Sequence, residues 1–321
     1  MTKLERLARK GDALLDAHQR ARLKELNGIE RLLFTRLTIE LAGLLEETNG
    51  RITSRKGPIT IAKAIDAIFE AIASKHLKDM AGNIASDVKS VLDFNARYYA
   101  VIAKGGDAFK AFDGIDAKVQ SRVRQRLGLD PQNGVLRNGY LDTLFPIDAI
   151  SQEVKQIVAK AIAAGVPQRK LTKVLATRIT GTDGSAGIME KILGGAVMGV
   201  YRLADSVTNN EFGDRLGLKY GIYSGGLIET SRAFCIAKNG KVFSTDEANR
   251  DWPVDPLLPR TKAERASGPN AAPPDYVPLE DMGRWEGTSE RCRHRFLRIS
   301  DEEAYRRRPD LRPSNASGRA S

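Results

Sequence analysis

Residues 219–244, KYGIYSGGLIETSRAFCIAKNGKVFS, mark the point at which the character of the chain changes. Two short runs within this stretch, 219–224 and 241–244, are rich in β-branched and aromatic residues, which is typical of strands. A third run of the same kind, RFLRI, occupies residues 295–299. The three runs predict a small α+β module in the carboxy-terminal part of the chain.

Upstream of this module, apolar residues recur at helical spacing, as in the leucine set Leu33, Leu37, Leu41 and Leu44 and the isoleucine set Ile61, Ile65, Ile68 and Ile72. This spacing predicts helices, with a break near Asn27-Gly28 and a stop at Thr48-Asn49-Gly50. Pro58 suits the first turn of a new long helix. The apolar pattern slips at Lys75-His76 and then resumes.

Further helices are predicted at roughly 117–129, 147–164, from Pro167 onward, and from 188 to about 216. The glycine-rich segment 181–187 lacks the Gly-Lys-Ser/Thr that places a lysine on a phosphate, so it is interpreted as a turn that caps the next helix. The fold class expected from these patterns is mainly α, with a helical amino-terminal region and a small α+β carboxy-terminal module.

Four consecutive segments are expected: a helical region 1–110, a helical linker region 111–187, a module 188–300 with a Cys/His closing strand, and a flexible basic tail 301–321. Within the module, seven of the 13 prolines lie between Pro253 and Pro278. So many prolines exclude a helix or a central strand and predict a long proline-rich loop.

The balance of charge is basic, with a net charge of +11 over 321 residues. A polyanion such as DNA would be attracted to such a protein, although a solvated basic surface explains the charge equally well. Residues 291–321 hold nine arginines and four acids. Arg306, Arg307 and Arg308 are therefore candidates for phosphate contacts in a mobile tail. No apolar run is long enough to span a membrane, and the amino terminus does not look like a secretory signal.

The two cysteines of the chain, Cys235 and Cys292, both lie in the carboxy-terminal module, and His294 follows Cys292 by two residues. The three side chains could bind Zn²⁺ together with a fourth ligand from elsewhere. The cysteines could instead form a disulfide, or both could be small buried hydrophobic residues beside a hydrogen-bonded histidine. All three interpretations remain open from the sequence. Asn239-Gly240 also favours a tight hairpin turn between Ile236 and Val242.

The order of these motifs resembles the carboxy-terminal module of tailed-phage minor head proteins, the broad family of Mu F-like and SPP1 gene-7-like head-morphogenesis proteins. The residues that carry the resemblance are Ser231, Arg232, Phe234 and Cys235, then Asn239, Gly240, Lys241 and Phe243, then a loop with Trp252 and Trp285, and finally Cys292, Arg293 and His294. The resemblance covers roughly residues 188–300, and the proline-rich loop is longer than the family pattern. Arg232 is expected to pin the hairpin to backbone carbonyls or to Asp246 or Glu247, with a phosphate contact as the alternative.

The resemblance implies a structural virion protein that is made in the bacterial cytoplasm and is located at the portal or the capsid interior. It would be present in few copies, with a homo-oligomer as one arrangement in the virion, and would help assembly or DNA packaging and delivery. Its expected partners are a portal, neck or capsid protein and the phosphates of packaged DNA, and no membrane. No cofactor is implied, and Zn²⁺ is the one metal that the candidate residues could hold.

Three alternatives are weighed against this interpretation. An enzyme would use Cys235 as nucleophile and His294 as base, but no third orienting group is evident, so the chain is expected not to be an enzyme. A head–tail connector or neck adaptor is a second alternative. A non-specific DNA-binding protein is the third, and its contacts would be largely sequence-independent because no helix-turn-helix, zinc-finger or ribonucleoprotein signature is recognised.

Overall fold

The computed structural model describes residues 3–103, 112–130, 132, 134–137, 139–142, 147–182, 184–227, 229, 231, 233–252, 255–257 and 294–313. Most of them are helical, so the expectation of a mainly α protein with a small α+β carboxy-terminal module is confirmed. The predicted proline-rich loop lies largely outside the described residues. None of the helices that the structure describes has the length and apolarity to cross a membrane.

The helices are α1 (Lys3–Leu44), α2 (Pro58–Ile72), α3 (Lys78–Ala103), α4 (Phe112–Leu127), α5 (Ile147–Ala163), α6 (Gln168–Thr180), α7 (Ile188–Arg215), α8 (Ala233–Lys238), α9 (Thr245–Asp251) and α10 (Asp301–Arg307). A π-helical segment, Ala73–Leu77, joins α2 to α3, and a 3₁₀ turn, Pro309–Leu311, follows α10. The helix that was expected to start at Pro58 does so.

The chain divides into two compact units that are discontinuous in sequence. The first unit comprises Met1–Leu15, Val88–Val123 and Gly199–Ser321, and the second comprises Asp16–Asp87 and Arg124–Met198. This division differs from the four consecutive segments expected above, because long helices such as α1 contribute residues to both units.

Helix α1 is continuous, so the predicted break near Asn27-Gly28 is wrong. Leu26 and Ile29 are both buried, and Gly28 is exposed with no neighbour near the position of a β-carbon. A helical glycine costs only about 1 kcal/mol relative to alanine, which is less than the packing of the two flanking side chains contributes.

The Thr48-Asn49-Gly50 segment is not a simple helix stop but the tip of a β-hairpin. Strands β1 (Leu45–Thr48) and β2 (Arg51–Ser54) pair in antiparallel register across a two-residue turn. Asn49 and Gly50 have φ values of 53° and 72°. The two-residue hairpin turn whose backbone twist matches that of the flanking strands requires a positive φ at both central residues. Asn-Gly adopts positive φ values readily.

The slip in the apolar pattern at Lys75-His76 corresponds to the π-helical segment. The buried residues of α2 end at Ile72, and the next side chain that the structure describes as buried is Leu77, five positions later. A π turn accommodates one residue more than an α turn, so the apolar face continues after the slip.

Three further strands, β3 (Tyr220–Ser224), β4 (Val242–Ser244) and β5 (Arg295–Ile299), form one antiparallel sheet with the order β4-β3-β5. All three coincide with the runs predicted from the sequence. The predicted hairpin turn between Ile236 and Val242 is wrong, because Ile236 belongs to helix α8. Asn239-Gly240 instead ends that helix, and Gly240 has a φ of 76°, as glycines that follow a helix commonly do.

The residues after β5 are not the flexible basic tail that their composition suggested. Helix α10 is capped by Ser300, whose hydroxyl accepts a hydrogen bond from the backbone N–H of Glu303. A serine cap and acidic residues in the first turn both stabilise a helix start. The expectation of a tail is therefore wrong for residues 301–313, and residues 314–321 lie outside the described part of the chain.

In the second unit, the carboxylate of Glu30 on α1 caps the start of α7. Its Oε1 accepts a hydrogen bond from the Glu190 backbone N–H at 2.9 Å, and the side chain is buried. Gly187 is required here, because a β-carbon at this position would collide with the Glu30 carboxylate. Burial raises the pKa of Glu30 above its ordinary value of 4.5, although the backbone N–H groups of α7 oppose the shift.

The glutamine variant Glu30→Gln tests this buried cap. In the folded protein, Glu30 keeps its proton at pH values where the unfolded chain has already lost it. Protonated Glu30 therefore stabilises the folded state below pH 4.5, and this stabilisation is lost as the pH rises through the raised pKa. Glutamine keeps an acceptor oxygen but never ionises. We expect the difference in unfolding free energy between the Glu30→Gln variant and the wild type to grow in favour of the variant from pH 4.5 towards 7, as measured by urea unfolding.

Glu40→Gln is the matched control, because Glu40 is exposed on the same helix. Its stability should follow the wild-type pH profile. A Glu30→Gln protein with that same profile would show that the buried carboxylate does not titrate in this range.

Candidate functional site: the carboxy-terminal closing module

The closing module comprises β3, α8, β4, α9, β5 and α10, and all of them belong to the first unit. The part of the sequence motif that contains Cys235 (the first half-motif) and the part that contains His294 (the second half-motif) meet at Tyr223 on the central strand β3. The Tyr223 hydroxyl lies 3.3 Å from Cys235 Sγ, and its ring stacks on the His294 ring with the centroids 5.0 Å apart. Helix α8, which contains Cys235, and His294, which directly precedes β5, therefore contact the same side chain.

Trp252 lies at the centre of the aromatic core of this module. Its ring makes edge-to-face contacts with four others at centroid distances of 5.3–5.5 Å, namely Tyr223, Phe234, Phe243 and Phe296. Each such pair contributes about 0.5–1.5 kcal/mol beyond the burial of its area. Trp252, which the sequence suggested as a loop aromatic, is thus a buried side chain directly after α9.

The predicted metal ligands are only partly described. Cys235 and His294 are buried, with exposed fractions of 5% and 7%, and Cys292 lies outside the described residues. Among the residues that are described, no group of three or more His, Cys, Asp or Glu side chains could hold a metal ion. A zinc site and a disulfide both stay predictions, and Cys235 packs as a small hydrophobic residue in the aromatic core.

Two of the six predicted structural motif residues have defined roles. Asn239 Oδ1 accepts a hydrogen bond from the Gly225 N–H at 3.2 Å, and the Gly240 N–H donates to the Tyr223 carbonyl at 2.7 Å. Both contacts attach the end of α8 to β3. Ser231 is described as half-buried, while Arg232, Trp285 and Arg293 lie outside the described residues. Glu247, an expected partner of Arg232, forms an ion pair with Arg308.

Strand β5 is attached to the helices of the first unit by Arg295, whose role the sequence reading missed. Its side chain is 2% exposed, with Nη1 3.0 Å from Asp205 Oδ1 and Nε 3.2 Å from Asp12 Oδ1. Its Nη2 donates to the Ala8 carbonyl, and Asn95 Nδ2 donates to the same oxygen of Asp205. Burial disfavours the charged guanidinium, but Asp205 and Asp12 together raise the pKa of Arg295.

Two further arginines reinforce the attachment of β5. Arg298 is buried and forms an ion pair with Asp214, and burial lowers its pKa while Asp214 opposes the change. The Tyr98 hydroxyl donates to the Arg298 carbonyl at 3.2 Å. From α7, Arg202 Nη1 donates to the His294 carbonyl at 3.0 Å. Strand β5 is therefore held by buried side chains at its beginning and near its end.

The three arginines predicted to contact phosphates have carboxylate partners within the first unit. Arg306 and Arg307 both pair with Glu303 at 2.6 Å, and Arg307 also pairs with Glu5 at 2.6 Å. Arg308 pairs with Glu247 and with Asp310. Their charges are largely compensated locally, and their contact with phosphate stays a prediction.

No family model, no curated protein and no solved structure matches this chain. The resemblance to minor head proteins therefore rests on the motif residues alone.

Removal of the Asp205 carboxylate tests the buried ion pair. Asp205→Ala leaves the Arg295 guanidinium without its most buried partner and the Asn95 amide without an acceptor. We expect a loss of about 3–5 kcal/mol in the free energy of unfolding, measured by urea titration. The control is Asp251→Ala, which removes an exposed ion pair with Arg250 and should leave the unfolding midpoint unchanged. Equal effects of the two variants would contradict a special role of the buried pair.

Metal removal tests the zinc interpretation. Because Cys235 Sγ lies against the Tyr223 hydroxyl inside an aromatic core, we expect dialysis against a chelator to leave the melting temperature unchanged. Elemental analysis of the purified protein should find less than one zinc per ten chains, roughly the level of adventitious metal. A stoichiometric zinc content, together with a lower melting temperature after chelation, would contradict this expectation and favour Cys235, Cys292 and His294 as candidate ligands.

Proposed function

We propose that this chain is a structural component of a tailed-phage particle, of the minor head type, located at the portal or the capsid interior. The observation that carries the proposal is the meeting of the two half-motifs at Tyr223. Cys235 belongs to the first half-motif and His294 to the second, and 58 residues of sequence separate them. The contact supports the proposal because the two parts of the motif belong to one folded module, as the resemblance requires.

The physical character of the module supports a structural role. Four of the described motif residues, Phe234, Cys235, Phe243 and Trp252, pack into an aromatic core. The strand that closes the sheet is anchored by buried ion pairs. Side chains used in this way fix one conformation of the chain. In the proposed role, the module is a rigid element that a portal, neck or capsid protein recognises through its outer surface.

Particle composition tests this proposal. Phage particles would be purified on a density gradient from the bacterial strain that encodes the chain and analysed by quantitative mass spectrometry. We expect the chain to sediment with the portal and major capsid proteins at a few copies per particle. Its absence from both mature particles and their precursors would overturn the proposal.

Complementation of a deletion strain adds a test of the module itself. Trp252→Ala removes the centre of the aromatic core and should cost about 3–5 kcal/mol, so incorporation into particles should fall with the folded fraction. Arg250→Ala changes an exposed residue of α9 and should be incorporated normally. Normal incorporation of a Trp252→Ala chain that has lost the module fold would contradict recognition through this module.

A further inference from the structure

The most uneven distribution of charge in the second unit lies along α5 and α6. Residues 154–182 contain six basic residues and no acid. Two of the six have partners, since Lys155 pairs with Asp66 and Arg178 pairs with Glu153. The remaining four, Lys160, Arg169, Lys170 and Lys173, are exposed, and the structure describes no ion pair for any of them.

Helix α6 presents three of these bases on the side opposite its buried face. Leu171, Leu175 and Ile179 are the buried residues of the helix. At 100° per residue, Arg169, Lys170 and Lys173 all project away from that apolar ridge, and Arg169 and Lys173 lie about one turn, roughly 5.4 Å, apart along the axis. The buried ridge fixes the rotation of the helix, so the outward direction of the three bases is fixed as well.

The β1–β2 hairpin adds a fifth base beside the turn that connects α5 to α6. The Ile52 N–H donates to the Val166 carbonyl at 3.1 Å, and the exposed Arg51 lies next to Gly165. The hairpin also carries two acids. Glu46 is exposed, and the Glu47 carboxylate accepts a hydrogen bond from the Gln168 N–H at the start of α6. Glu47 therefore serves the helix terminus, where a negative charge stabilises the helix.

We infer that this basic face, comprising Arg51, Lys160, Arg169, Lys170 and Lys173, binds the phosphate backbone of duplex DNA without regard to sequence. Like charges held close together on a fixed helix repel each other, and a row of phosphates relieves the repulsion and releases condensed counterions. The inference does not depend on the proposed virion role. It also assigns phosphate binding to a different surface from Arg306, Arg307 and Arg308, whose charges are compensated by carboxylates.

Duplex DNA fits this surface better than an anionic membrane does. A helix that lies in a lipid interface inserts an apolar face beneath its basic flanks. The apolar face of α6 is buried within the unit, and Val174, 44% exposed, is the large apolar side chain that α6 leaves on its surface.

The test measures binding of the purified chain to a fluorescent 30-base-pair DNA duplex as a function of salt concentration. With five phosphate contacts, the wild-type affinity should fall about 500-fold between 50 and 200 mM salt. The triple variant Arg169→Gln, Lys170→Gln, Lys173→Gln keeps Arg51 and Lys160, so it should bind more weakly and lose affinity only about 10-fold over the same range. Circular dichroism would verify that the variant is folded.

The matched control neutralises three exposed bases of the same unit that belong to α1 and α2, Arg31→Gln, Arg36→Gln and Lys63→Gln. It should keep most of the wild-type salt dependence. The inference would be overturned if both triple variants lost the same affinity, if neither did, or if the wild type bound phosphatidylserine vesicles and not the duplex. None of these results depends on whether particles contain the chain.

Discussion

The guanidinium of Arg295 is the group on which the first unit depends most. It is removed from water and balanced by Asp205 of α7 and Asp12 of α1, while Asn95 of α3 holds Asp205 in place. A buried charge is stable only when every partner is present, so strand β5 docks completely or not at all. The last strand that the structure describes thereby becomes a condition for the ordered packing of α1, α3 and α7, which precede it in the chain.

Patterns that arise within one element were predictable from the sequence. The start of α2 at Pro58, the π-helical slip and the three strands of the sheet all follow from local spacing and composition. The β1–β2 hairpin could also have been recognised, because Asn49-Gly50 is a strong turn signal that was interpreted only as a helix end. The continuity of α1 could not, because it depends on tertiary burial of the residues that flank Gly28.

The candidate site shows the same division between local and distant information. Cys235, Asn239 and Gly240 were selected because they belong to short motifs. Arg295 and Asp205 are 90 residues apart in sequence, and no periodic pattern connects two such positions. A signal did exist in the strand itself, since two arginines in the otherwise apolar run RFLRI need buried partners. Ser300 followed by Glu303 likewise indicated a capped helix where overall composition suggested a tail.

The π-helical segment Ala73–Leu77 has a consequence for how the sequence can change. Removing one residue there would produce an unbroken α-helix with better local geometry. The π turn already accommodates one extra residue, so this deletion would keep the apolar side of α2, including Ile65 and Phe69, aligned with the apolar side of α3. The irregular turn thus keeps the two helical faces aligned in spite of one added residue. A one-residue deletion should be tolerated there, whereas the same deletion within α2 or α3 would rotate one apolar face by about 100° relative to the other.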